Sequence, residues 1–166
     1  MRLPWPDPEP VGPGQESVWD YPRPPRLEQS DRHVVVQLGD VVLADTHRAW
    51  RVMETSHAPS WYLPPDDIAM QHLRQVPGRT ICEWKGQADY LDVAVDEIVV
   101  PRAAWRYRTP VPAFAPIAGH IAFYPGAVEC TVDGQAAVPQ PGGFYGGWIT
   151  PDVVGPFKGG EGTLGW

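Results

Sequence analysis

The sequence is poor in cysteine, in basic charge and in long apolar runs. Cys82 and Cys130 are the two cysteines of 166 residues; they stand far apart and join no CxxC pair or Cys/His cluster. Neither a disulfide framework nor a structural zinc site is expected. Thirteen Lys and Arg face 20 Asp and Glu, for a formal charge of -7 and a pI near 5.1. Nucleic acid is excluded as a partner, because neutralising phosphates needs a basic surplus on one face. No stretch approaches the roughly 20 apolar residues of a membrane span, and MRLPWPDPEPVGPGQ lacks the apolar stretch of a signal peptide. A reduced, cytoplasmic protein without membrane contact is the expectation. Familiar catalytic words are missing too: there is no GxSxG or HExxH. GPFKGGEGT fails as a phosphate-binding loop, since Lys158 precedes the glycines and no helix signal follows. No metal or cofactor is expected.

What the chain has in plenty is proline (21) and glycine (17), beside 43% hydrophobic residues. The length suits one domain with a real core, and the punctuation predicts a mainly β fold of short antiparallel strands. Residues 1–28 read as a Pro-rich arm, loose over 1–14 and packed from Glu16 to Leu27, because Trp19 and Tyr21 are wasted on a linker. Residues 29–138 form the β-rich core. Residues 139–166 read as an ordered coil draped over a sheet, since Phe144, Tyr145, Trp148, Phe157 and Trp166 each bury about 150–250 Å² when packed.

Within the core, HVVVQLGDVVLAD (33–45) is a hairpin around Gly39-Asp40, and Asp133-Gly134 marks a second between Val128–Val132 and Gln135–Val138. Ala49–Thr55, Thr80–Val93, Ala103–Arg108 and Ile117–Tyr124 are strand-like. One helix of about two turns, capped by Asp66 or Asp67, is expected after the prolines of WYLPPDDIAMQHL.

Two segments concentrate chemistry. In TICEWKGQADY (80–90), strand alternation puts Cys82, Trp84, Gly86, Ala88 and Tyr90 on one face and Glu83, Lys85, Gln87 and Asp89 on the other. Cys82 is then a small buried hydrophobe beside Trp84; as a nucleophile it needs a neighbouring cation or His57 to lower its pKa. In ETSHAPSWY (54–62), Trp50, Val52 and Glu54 share one strand face while Arg51, Met53 and Thr55 share the other. A half-buried Glu54 needs a partner, and His57, Lys85 or an arginine can serve, either for acid/base work or as a structural ion pair. His33, His47, His72 and His120 are scattered and read as surface or satisfied core residues. Trp61, Tyr62, Trp84, Tyr90, Trp105 and Tyr107, with Phe123 and Tyr124 near them, make either an ordinary β core or an aromatic-walled pocket for a flat or cationic ligand.

The words VLADTHRAWRVMETSHAPSWYLPPDDI (42–68), TICEWKGQADYLDV (80–93) and AAWRYRTPVPAFAPIAGHIAFYPGAV (103–128) resemble the bacterial family known as domain of unknown function 427. The flanks look like extensions of its actinobacterial branch. The resemblance implies a small antiparallel β-tent-like fold, two sheets meeting over a shared pocket. Relatives of that superfamily often hold zinc through paired CxxC knuckles, which are absent here, so the metal is not carried over. The family brings no settled activity.

Three readings follow. The first is a small-molecule binder with walls from Trp61, Tyr62, Cys82, Trp84, Tyr90, Trp105 and Tyr107 and polar contacts from Glu54, His57 and Lys85. The second is a small enzyme at the same place, with His57 or Glu54 as general base and Lys85 stabilising negative charge. The third is an interaction module whose arm and tail form a homodimer surface.

Overall fold

The structure, a computed structural model, describes residues 5–82 and 85–166, with the backbone alone for 79–82. Prolines cut the chain into short pieces, and the result is mainly β, with 3-10 turns as its helical elements. The arm supplies β1 (Glu16–Ser17) and β2 (Arg26–Ser30). The Gly39-Asp40 hairpin forms as β3 (Val34–Leu38) and β4 (Val41–Thr46). After it come β5 (Ala49–Met53) and β6 (Ser60–Tyr62), which join β2 in a three-stranded antiparallel sheet. A second sheet, in the order β10-β9-β8-β7, holds β7 (Leu73–Cys82), β8 (Gly86–Val95), β9 (Ile98–Arg106) and β10 (Ile121–Phe123). The Asp133-Gly134 hairpin forms as β11 (Glu129–Val132) and β12 (Gln135–Ala136), in a third sheet with β3 and β4. The tail contributes β13 (Val138–Pro139), β14 (Trp148–Ile149) and β15 (Val153–Val154); β13 pairs with β14, and β15 runs parallel to β1.

Four expectations need correcting. The single strand expected over Thr80–Val93 is two strands: the chain reverses, and Cys82 pairs with Gly86. Gly86 sits at φ +109°, which a pleated strand does not use and glycine adopts freely. Counting alternate faces through a turn is void, so the side on which Lys85 emerges does not follow from Cys82. The expected helix after Pro64-Pro65 is split into 3-10 turns at Pro65–Asp67 and Met70–His72. Between them Ile68 is extended, bridges Ala44 and is buried, while Asp67 accepts from Thr46 and Arg48 instead of capping a helix. Finally, β9 starts at Ile98, five residues before its expected start, directly after the tight Asp96-Glu97 turn. The strand expected over Ile117–Tyr124 shrinks to β10 because Pro112–Ile117 coils into a 3-10 turn.

The β8-β9-β10 sheet works on both faces. Register pairs Leu91 with Ala104 and Ala104 with Phe123, and these enter the main core with Val34, Val36, Leu43, Trp61 and Trp148. One residue along, Tyr90 pairs with Trp105 and Trp105 with Ala122, and these turn toward Val52 and Tyr62 of the β2-β5-β6 sheet. Leu63 and Ile121 exchange backbone hydrogen bonds of 2.8 and 2.9 Å, which joins the two sheets along one edge. The arm is fastened by buried Val18 and Tyr21 and by Arg51, which donates to Glu16 and Glu28 at 2.7 Å each. Upstream, Trp5 lies edge-on to Trp19 and the Glu9 amide donates to Gly155. Among the described residues no helix is long and apolar enough to cross a membrane.

Candidate functional site

Between these two sheets lies a cavity of ≈ 390 Å³, within the roughly 300–1,000 Å³ range of small-ligand sites. Alternation builds its walls. On β5 and β6, Trp50 is opposite Tyr62 and Val52 opposite Ser60, so these share one face, while Arg51 and Trp61 are paired on the other. Val52, Ser60 and Tyr62 line the cavity from this side; Ala88, Tyr90, Trp105 and Tyr107 line it from β8 and the end of β9. Trp105 Nε1 donates to the Tyr62 hydroxyl at 3.2 Å, with the rings edge to face at 6.0 Å. Tyr124 closes the corner, its ring 4.6 Å from Trp105. Burial, with the Tyr90 hydroxyl beside it, raises the Tyr124 phenol far above its ordinary value.

The polar end is a turn held by the arm. Ser56 is fully buried at φ +70°, its amide donates to Val18 O at 3.1 Å, and Thr55 Oγ1 donates to Tyr21 O. That turn projects Glu54 and His57 into the cavity. His57 Nδ1 lies 2.8 Å from Thr55 O, so this nitrogen carries the proton. Nε2 is then the basic atom of the neutral ring, and it has no hydrogen-bond partner among the described residues. Burial lowers the His57 pKa, aided by the charges of Lys158 and Arg23, against the raising influence of Glu54. Glu54 is 3.5 Å from Arg23 Nε and 3.8 Å from His57 Nδ1, so its charge is already met.

Lys85 leaves the β7-β8 turn and points into the same space. It is only 9% exposed, with Nζ 5.9 Å from the ring centres of both Tyr107 and Phe114. Val111 N holds its carbonyl at 3.0 Å. The tail closes the remaining side. Buried Gln140 accepts from Ala58 N at 3.0 Å and donates to Lys158 O at 2.8 Å, clamping two tail segments to the chain after His57. Gly146 lies flat on the Trp105 indole, where a Cβ would overlap the ring. Tyr145 meets His57 edge-on at 4.9 Å, with Lys158 Nζ 5.9 Å from its ring centre.

Of the residues singled out in the sequence, the fold brings Glu54, His57, Tyr62, Lys85, Tyr90, Trp105 and Tyr107 to one cavity. Trp61 is corrected: strand alternation turns it to the opposite face, where it packs against Trp148 with Arg51 over its ring. Trp84 lies outside the described residues, as does the Cys82 side chain. Gln140, Tyr145 and Lys158 were missed, because they reach the site only through the course of the tail. Cys130 is sealed in the core, and burial raises its thiol out of nucleophile range. Among the described residues no group of three or more His, Cys, Asp or Glu is placed to hold a metal ion.

The buried histidines give the fold a pH signature. His57 and His120 are both lowered, each first by burial, so their contribution is complete above the unfolded value of about 6.5 and is lost as pH falls through the folded values. The lowered carboxylates Asp67, Asp133 and Asp152 act further down, below about 4. The melting temperature is therefore expected to drop between pH 7.5 and 5. His57→Gln combined with His120→Gln should flatten that slope in a thermal melt series; an unchanged slope would contradict the assignment.

A comparison with family models matches residues 26–134 to one described as "Domain of unknown function (DUF427)". A comparison with curated proteins finds no match.

Proposed function

The chain belongs to the DUF427 family, and we propose that it binds a small ligand in the cavity between its two sheets. The observation that carries this reading is convergence. Aromatic side chains of β6, β8 and β9 and ionisable side chains from three distant places, 54–57, 85 and 158, line one cavity. A sheet interface serving stability alone is closed by apolar side chains, as the main core of this protein is. A compound that occupies the site raises stability by about 2.7 kcal/mol at a hundredfold excess over its Kd. A thermal-shift screen of metabolites should yield such compounds, and Tyr90→Ala and Tyr145→Ala should weaken them. Hits that bind both variants as tightly as the wild type would sink the reading.

One observation favours a second reading, a small acid/base enzyme. His57 has Nδ1 fixed on a carbonyl and Nε2 left as a base in a cavity that also holds a lysine. On this reading His57→Gln abolishes turnover of a bound compound while leaving its affinity within a few-fold. Turnover that survives the substitution rules it out.

A further inference from the structure

The chain has two lysines among its 13 basic side chains, the other eleven being arginines. Both lysines, Lys85 and Lys158, line the one cavity. In a protein of net charge -7 this gathers positive charge where the surface average is negative. Glu54, the carboxylate in the lining, is neutralised by Arg23 and sits beside His57. Lys85 is the decisive group. Its side chain is nine-tenths buried, its ammonium faces two aromatic rings, and among the described residues no carboxylate is within ion-pair distance of it. An ammonium drawn partly out of water beside aromatic rings gains from an arriving anion, which brings a counter-charge where the described residues supply none. Lys158 differs: its Nζ donates to Trp166 O at 3.1 Å, and it adds to the field at the His57 end.

The walls specify the rest of the ligand. Tyr62, Trp105 and Tyr107 present ring faces and edges, which suit a flat apolar body, while two ammonium groups repel a cation that the aromatics alone would accept. Resting on the reading that the cavity takes a ligand at all, we infer that its occupant is a flat ring bearing an acid group. The acid meets the Lys85 ammonium and the ring lies against Trp105 and the tyrosines. A compact ammonium on a flexible stem, unlike a guanidinium fork, accepts a carboxylate or a phosphate without demanding one planar geometry.

The test uses the full chain and matched pairs: aryl carboxylates beside their primary amides, and nucleoside monophosphates beside their nucleosides. Within at least one series the acid should raise the melting temperature and its neutral partner should not, which also tells a carboxylate from a phosphate. Lys85→Met should weaken the binding acid about tenfold or more, and Lys158→Met by less, since a charge-assisted hydrogen bond is lost in the first case. Because Lys85→Met could perturb the β7-β8 turn, a salt series on the wild type provides a check without mutation. Raising salt from about 50 to 500 mM should weaken the acid. Neutral or cationic ring compounds that bind as well as acids, with affinity that depends on Tyr90 and Tyr145, overturn the anion inference and leave the pocket standing. Acid binding indifferent to both lysines and to salt overturns it equally. If no ring compound of any charge binds while the metabolite screen yields other hits, the ring-acid inference falls and the pocket stands; if the screen yields none either, both readings fall.

Discussion

Replacing Trp148 with alanine is expected to lower the unfolding free energy by about 3–5 kcal/mol, the cost of deleting a fully buried aromatic side chain. Trp148 lies outside residues 26–134, the span that carries the family match, yet it belongs to the main core and has no exposed surface. Its ring centre is 6.0 Å from that of Trp61, its Nε1 donates to Phe123 O at 2.9 Å, and its amide donates to Pro59 O at 2.8 Å. Alanine would leave a cavity between Trp61 and β10, and a buried carbonyl without its donor. Trp148→Phe should recover most of the volume but still lose about 1–2 kcal/mol for the hydrogen bond. Leu164→Ala, in the same tail at 90% exposure, should stay within about 0.5 kcal/mol. Urea titration of the three variants is the measurement. A Trp148→Ala cost below about 1 kcal/mol would mean that the tail is not part of the core.

Gly159→Ala is expected to cost about 1–3 kcal/mol and to loosen the tail over the pocket. Gly159 sits at φ +129°, where an L side chain is strained, and a Cβ there would overlap the Pro141 carbonyl. From the other side, a Cβ on Gly142 would run into the Gly159 carbonyl. The two glycines therefore let two tail segments cross at backbone contact. That crossing keeps Lys158 beside Gln140 and sets the loop that carries Phe144 and Tyr145. Gly160→Ala, next door in open space and without a positive φ, is the matched control and should be near neutral. Equal melting temperatures for the two variants would show that the crossing is not a constraint.

The parts of the fold readable in the sequence are those set by local chemistry. Gly39-Asp40 and Asp133-Gly134 mark their hairpins because two-residue turns demand positive φ. The alternation of AWRVMET puts Val52 and Glu54 on one face, and in the structure both line the cavity. TICEWKGQADY misled because alternation carries no sign of where a strand ends, and the one cue, the glycine after Lys85, also fits a bulge. Trp61 misled for a related reason: its neighbour Tyr62 is a wall residue, and adjacent strand positions face opposite ways. Gln140, Tyr145 and Lys158 were out of reach. Gly/Pro-rich coil has no periodicity, so nothing in its order says which sheet it crosses or which polar groups it delivers.

The segregation of lysine has a practical consequence. Apart from the α-amino group, an acylating or reductively methylating reagent has no side-chain amine to modify except Lys85 and Lys158, both in the cavity lining. Mass added to a side chain then reports on that cavity alone, and a compound that blocks the addition has been seated there. The protein carries its own occupancy gauge, readable by mass spectrometry with no tag on protein or ligand.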